Sequence, residues 1–345
     1  MNTGVNYKLF YEILLKLREA FHSYGRIDDS NTKLDEIVKL IMLSYYHATK
    51  GERFSLALVK ETAYTLFNDE DKVAPALRQL FEKASEDSIY KNVDGTSIFG
   101  ANATLNIQPS ENLFAEKIIL EIEKIDLLNL IKDNQISNFD IINECFGHFV
   151  RENFRNNKED AQYMTPAEIA IPLLEMVFSD FRKEQYFEKF GYESFTVMDP
   201  TCGVGTLLIE ASRQYIQYVN TLDLPEESKD KLIASFLETR MFGQDKVDRM
   251  VRLSKINTLL IGGNIENIFI GNSISEHTKI DYLKDSVDLI FTNPPFGAEY
   301  NYNDLIEGDF ELLGQLSCQT TNICSELLML LKCLSLLKPN GKLVI

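Results

Sequence analysis

The sequence predicts two domains of different class: an all-helical N-terminal domain over residues 1–157, then an α/β domain with a mainly parallel sheet over residues 158–345. Three observations carry this division. The 345-residue length exceeds the usual size of one domain. Through roughly the first 155 residues, apolar positions recur every three or four residues, the period of a helix face. From Phe195 onward, short β-rich runs each precede a helix-length segment, the pattern of parallel strands joined by crossover helices.

The helical part has three separable runs. Leu9, Phe10, Ile13, Leu14, Leu17 and Phe21 form the first apolar face. A second run, with Leu34, Ile37, Val38, Ile41 and Tyr45, follows Thr32, whose hydroxyl can cap while Asp35 closes a capping box. A third starts near Ser110 and carries Phe114, Ile118, Ile122 and Ile125. Lys91 to Pro109, rich in Gly, Asn, Ser and Thr, reads as a loop. In the α/β part the expected strands are Phe195–Asp199, Met241–Asp245, Ile268–Ile270, Val287–Phe291 and Lys342–Ile345. Helices are expected over Leu207–Val219 and Val247–Leu260.

Composition narrows the function classes. Hydrophobic residues make up 45% and charged residues 25%, with 9 Pro and 17 Gly, which fits a folded globular chain and neither a collagenous nor a disordered one. No signal-peptide pattern and no membrane-spanning apolar run is present, so a cytoplasmic location without membrane contact is expected. The five cysteines form no C-x-x-C pair and, with four scattered histidines, no zinc spacing; buried free thiols and no metal are expected. A net charge of −17 disfavours a chain that grips DNA phosphates unaided and implies a basic partner. Asp285 to Leu331 contains no Lys or Arg, and reads either as a solvated acidic stretch or as a partner surface.

Chemistry concentrates where a doubly wound sheet binds ligands, just past the carboxyl ends of its strands. The first strand runs into Asp199-Pro200-Thr201-Cys202-Gly203-Val204-Gly205-Thr206, where Gly203 and Gly205 permit either close backbone approach to a ligand or a tight turn into the helix. The second ends in Asp245, which can accept both hydrogens of a ribose diol or cap the helix that follows. The third ends in Gly271-Asn272-Ser273, where Asn272 can bond an adenine edge or serve the turn. The fourth ends in Asn293-Pro294-Pro295-Phe296, where two prolines withdraw backbone donors and fix φ, holding carbonyls out as acceptors. The Asn293 side-chain oxygen and the Pro294 carbonyl can then accept both hydrogens of an exocyclic amine, localising its lone pair for attack. Phe296 can stack on a base flipped from the duplex, or belong to the core.

The order of these segments resembles the adenine-N6 DNA methyltransferases, and most closely the modification subunits of type I restriction systems. Asp199 to Thr206, including Thr201 and Thr206, is similar to the family's cofactor motif, and Asn293 to Phe296 to its catalytic motif. Gln162-Tyr163-Met164-Thr165-Pro166 resembles the motif that cradles the methionine part of the cofactor. Lys33 to Leu40, Phe139-Asp140 and Phe149-Val150 look like the family's helical domain, and the resemblance is strongest from about residue 138 onward. It implies a Rossmann-like methyltransferase domain, S-adenosylmethionine as cofactor, DNA carrying a flipped adenine as substrate, and a DNA-specificity subunit, with a restriction subunit, as partners. Departures are Ala161 for glycine, Met164 for an aromatic and Asn272 for an acid. After the turn Leu337 to Gly341 the chain stops at Ile345, so the family's last strands are expected to be missing. Alternatives are methylation of a protein side-chain amide, cytosine-N4 methylation, and a truncated non-catalytic subunit that binds a partner.

Overall fold

In the computed structural model, described for residues 3–24, 30–127, 165, 167–274, 278–301 and 322–345, the chain divides into two compact units, Met1–Asn157 and Lys158–Ile345. In the first, the described residues form five helices, α1 (Thr3–Ser23), α2 (Ser30–Thr49), α3 (Leu56–Phe67), α4 (Val73–Ser85) and α5 (Asn112–Ile122). The stripes read from the sequence are buried at Phe10, Ile13, Leu14 and Leu17 on α1, Ile37 and Ile41 on α2, and Ile118 and Ile122 on α5, whereas Leu9 is exposed. Two details differ from expectation. Helix α2 starts at Ser30, so Thr32 lies inside its first turn instead of at the cap. Helices α3 and α4 add two elements the apolar rhythm did not single out; Ser55 caps α3 by accepting the Leu58 amide at 3.3 Å. Lys91 to Pro109 holds no regular element beyond an isolated bridge between Lys91 and Ser97.

The second unit is built on a parallel five-stranded sheet in the order β3-β2-β1-β4-β7. Its strands are β1 (Val197–Asp199), β2 (Met241–Asp245), β3 (Ile268–Ile270), β4 (Val287–Phe291) and β7 (Leu337–Val344). The central strands are buried on both faces, which is why they read as continuous apolar runs. The described helices of this unit are α6 (Ala167–Lys183), α7 (Tyr186–Phe190), α8 (Thr206–Asn220), α9 (Glu226–Thr239), α10 (Asp248–Leu260) and α11 (Ser325–Leu336). One core gathers Phe178, Phe181, Phe187, Phe195, Tyr215 and Phe236; the other contains Met198, Ile290, Leu328 and Met329. A two-stranded antiparallel ribbon, β5 (Glu299–Asn301) with β6 (Asn322–Cys324), stands beside the sheet's carboxyl edge. Strand order reverses between β1 and β4, which makes their carboxyl ends the topological switch point.

The expected Leu337–Gly341 turn is present as a bulge within β7. Two steps along β4 match five along β7, and Asn340 adopts φ +67° where the excess residues loop out. The bulge is tied down by Asp288, which is buried and accepts the Tyr186 hydroxyl at 2.7 Å, the Thr196 amide at 2.8 Å and the Lys338 ammonium at 2.6 Å. Of the three described cysteines Cys202 and Cys333 are buried free thiols as expected, whereas Cys324 is exposed at the end of β6. No helix among the described residues is long and apolar enough to cross a membrane. Because Asp288→Ala would strand a buried amide and a cation together, it is expected to lower the unfolding free energy by about 3 kcal/mol, read by urea denaturation.

Candidate active site

One pocket lies across the carboxyl ends of β1, β2, β3 and β4. Thr201 contributes from the β1 turn, Asp245 from the end of β2, Asn272 from the turn after β3, and Asn293 and Pro295 from the end of β4. These five sequence-predicted residues, drawn from four separate segments, therefore face one space. The structure adds wall residues that the sequence reading missed. Met250 and Ile274 supply apolar surface, and Tyr300 and Met329 close the β4 side. No local signal marks Tyr300 or Met329, which arrive from β5 and α11.

The polar groups are interlocked. Asp199, 1% exposed, accepts the Thr201 amide at 3.0 Å and the Thr292 hydroxyl at 2.7 Å. Thr292 and Thr201 hydroxyls lie 2.6 Å apart, and Thr201 Oγ1 is 3.3 Å from the Asn293 carbonyl. Asp245 accepts the Gly203 amide at 3.0 Å on one oxygen and the Val247 amide at 2.9 Å on the other. These bonds form a turn ahead of α10, whose N-cap is Val247 and takes no side-chain cap, so Asp245 is not the helix cap and retains acceptor capacity for a diol. Asn272 serves the turn, its Oδ1 accepting the Ile274 amide at 3.2 Å, and the residue also lines the pocket. Ser273 donates to the Pro200 carbonyl at 2.5 Å and receives Gln244 Nε2 at 2.7 Å, while buried Gln244 Oε1 has no partner among the described residues.

The two turn glycines serve different ends. Gly203, at φ +52°, frees its amide for Asp245. Gly205, at φ +88°, is demanded by helix packing: a β-carbon there would sit 2.7 Å from Ser254 Oγ on α10. It therefore does not face the pocket, and Thr206 next to it opens α8. Along the β4 exit, Pro294 is buried and Phe296 is 74% exposed, so Phe296 is no core residue. Pro295 does not present a free carbonyl, because Ser325 Oγ donates to it at 3.1 Å. Among the described residues nothing engages the Asn293 side chain or the Pro294 carbonyl. Gln162, Tyr163, Met164 and Pro166 lie outside the described residues, and Thr165 is half-buried.

Residues 137–345 match the N-6 DNA Methylase family, and the chain belongs to it. The type II methyltransferase M.MamI of Microbacterium ammoniaphilum is 20% identical over 84% of this chain and 75% of its own length. The MjaVII type I restriction enzyme methylase subunit of Methanocaldococcus jannaschii is 25% identical over 88% of this chain, which spans only 46% of that relative. The crystal structure of a type I restriction-modification methyltransferase subunit from Streptococcus thermophilus superposes with a TM-score of 0.59 at 16% identity, covering 98% of this chain and 74% of that one. The fold of the second unit is accordingly the Rossmann-like fold of methyltransferases that use S-adenosylmethionine.

Burial pushes the Asp199 carboxyl up to about 7, the nearby Asp245 adding to the effect and the Thr292 and Thr201 hydrogen bonds opposing it. Burial raises Asp245 as well. Between the ordinary carboxylate range and about 7, folded Asp199 holds a proton that the unfolded chain has released, so stability falls as pH rises through that window. Urea midpoints measured from about pH 4.5 to about pH 7.5 are expected to decline, and Asp199→Asn to flatten the decline. A slope unchanged in that variant would assign the effect elsewhere.

Proposed function

We propose that this chain transfers a methyl group from S-adenosylmethionine to adenine N6 in DNA, as the modification subunit of a type I restriction-modification system. The observation that carries the reading is the convergence on one pocket of an acid at the end of β2, a polar turn after β3 and an Asn-Pro-Pro exit from β4 whose leading amide and carbonyl are unengaged among the described residues. The donor set fits the cofactor. Val247, Met250 and Ile274 offer apolar surface to an adenine ring, Asn272 a hydrogen bond to its edge, and Asp245 two oxygens to a ribose diol. When bound there, S-adenosylmethionine supplies an electrophilic methyl group on a sulfonium.

The remaining chemistry is the chain's own. Asn293 Oδ1 and the Pro294 carbonyl accept the two hydrogens of the adenine amine, which draws its nitrogen away from the ring plane and localises the lone pair for attack. The buried Pro294 fixes that carbonyl, since its ring locks φ and offers no amide to a ladder. Phe296, exposed at the rim, stacks on the base once it has left the duplex. Thr201 and Thr292 join the β1 turn to the β4 exit and so hold the cofactor side and the amine side in register.

The charge of −17 leaves little for DNA phosphates, so duplex binding falls to a basic DNA-specificity subunit, with a restriction subunit joining the assembly. Two of the relatives with which this chain aligns are type I subunits by name, and M.MamI is a type II methyltransferase. Binding to duplex DNA by the assembly is then expected to weaken steeply with salt.

Asn293→Ala removes one acceptor without touching Asp245. In the complex with the specificity subunit, transfer of radiolabelled methyl groups to unmethylated genomic DNA is expected to fall by roughly a hundredfold or more, with S-adenosylmethionine binding retained. A variant that methylates at near the parent rate would remove this mechanism.

A further inference from the structure

Phe296 sits on an exposed loop, yet the residues on either side of it are fastened to one place, the first turn of α11. The Ser325 amide donates to the Ala298 carbonyl at 2.8 Å, continuing the β5–β6 ladder in which Glu299 pairs with Cys324. The Ser325 hydroxyl lies 3.1 Å from the Pro295 carbonyl and 3.1 Å from Glu326 Oε2, its one hydrogen serving both acceptors. The Gly297 amide donates to Glu326 Oε1 at 2.9 Å, from a backbone at φ +78°. Donation from that amide holds the Glu326 carboxyl below the ordinary range, so it stays an acceptor. Pro295 precedes Phe296, and Gly297 and Ala298 follow it, so the ring is gripped through its backbone on both sides while its side chain remains in solvent.

Neither Ser325 nor Glu326 lines the pocket. Their bonds are therefore spent on the geometry of the loop and not on cofactor contact. We propose that Ser325 and Glu326 are positioning residues for methyl transfer, holding the Phe296 loop at the angle at which its ring meets the flipped adenine. The proposal rests on the methyltransferase reading given above. A stacking ring on a free loop would have to be ordered anew each time a base arrived, and that entropy would be drawn from binding. The clamp orders the loop before the base is there, and small displacements of a positioning group are costly in rate.

The chain contains no tryptophan, so Phe296→Trp introduces a lone fluorescent reporter into the loop. In that background Glu326→Ala is expected to lower the reporter's anisotropy and increase its quenching by acrylamide. Glu326→Gln, whose amide oxygen can still accept the Gly297 amide, is expected to leave both at the parent values. With Phe296 restored, Glu326→Ala is expected to slow methylation of unmethylated genomic DNA by about tenfold or more, while S-adenosylmethionine affinity changes by less than about twofold and Glu326→Gln keeps the rate. An unchanged reporter in Glu326→Ala overturns the clamp whatever the activity. A loosened reporter with an unchanged methylation rate overturns the positioning role alone. A parent complex that loads S-adenosylmethionine but methylates no DNA overturns the underlying reading, and the positioning role with it.

Discussion

The site depends on the end of β1 and the turn after it being tied to the ends of β2 and β4 and to the turn beyond β3. Gly203 donates to Asp245 at the end of β2, the Pro200 carbonyl receives Ser273 from beyond β3, and Asp199 receives Thr292 from the end of β4. Parallel strands have no hairpins to align them, so these bonds do the work of setting their carboxyl ends level. Each joins residues more than forty positions apart in sequence. Loosening any one would let a wall of the pocket drift relative to the others.

This arrangement is costly in charge. Burial penalises ionisation of both Asp199 and Asp245, and Asp245 lies close enough to raise Asp199 further. A fold selected for stability alone has no need of them there. Backbone amides at Thr201, Gly203 and Val247 offset part of the cost, and they do so at the positions where a polar ligand can also be met. Acids raised by burial at and beneath the pocket of a switch point are a feature shared with functional sites, and the chain belongs to a family of DNA methylases.

Much of this was legible in the sequence because buried parallel strands announce themselves. Three of the strands, Met241–Asp245, Ile268–Ile270 and Val287–Phe291, have the bounds read from apolar runs, and Asp245, Asn272, Asn293 and Pro295 at or beyond their ends line the pocket because parallel strands present their carboxyl ends to one edge of the sheet. What stayed hidden depended on partners distant in the chain. Gly205 reads as a ligand-approaching glycine until Ser254 is found against it. The Pro295 carbonyl reads as free until Ser325 is found donating to it. Thr292 stood beside Asn293 in plain view, but its value lies in a hydroxyl pair with Thr201 that no local pattern encodes. Helix starts were the weakest reading, since Thr32 fits a cap by composition and only the backbone shows α2 already begun at Ser30.

The claim on which the rest turns is that the pocket at the strand ends holds S-adenosylmethionine through Asp245. Calorimetric titration of the purified chain with that cofactor, beside a folded Asp245→Ala variant, tests it most directly. Saturable binding at one site per chain is expected, weakened by about tenfold or more when the carboxylate is removed. Binding of equal strength in both proteins, or none to a chain shown to be folded, would contradict it.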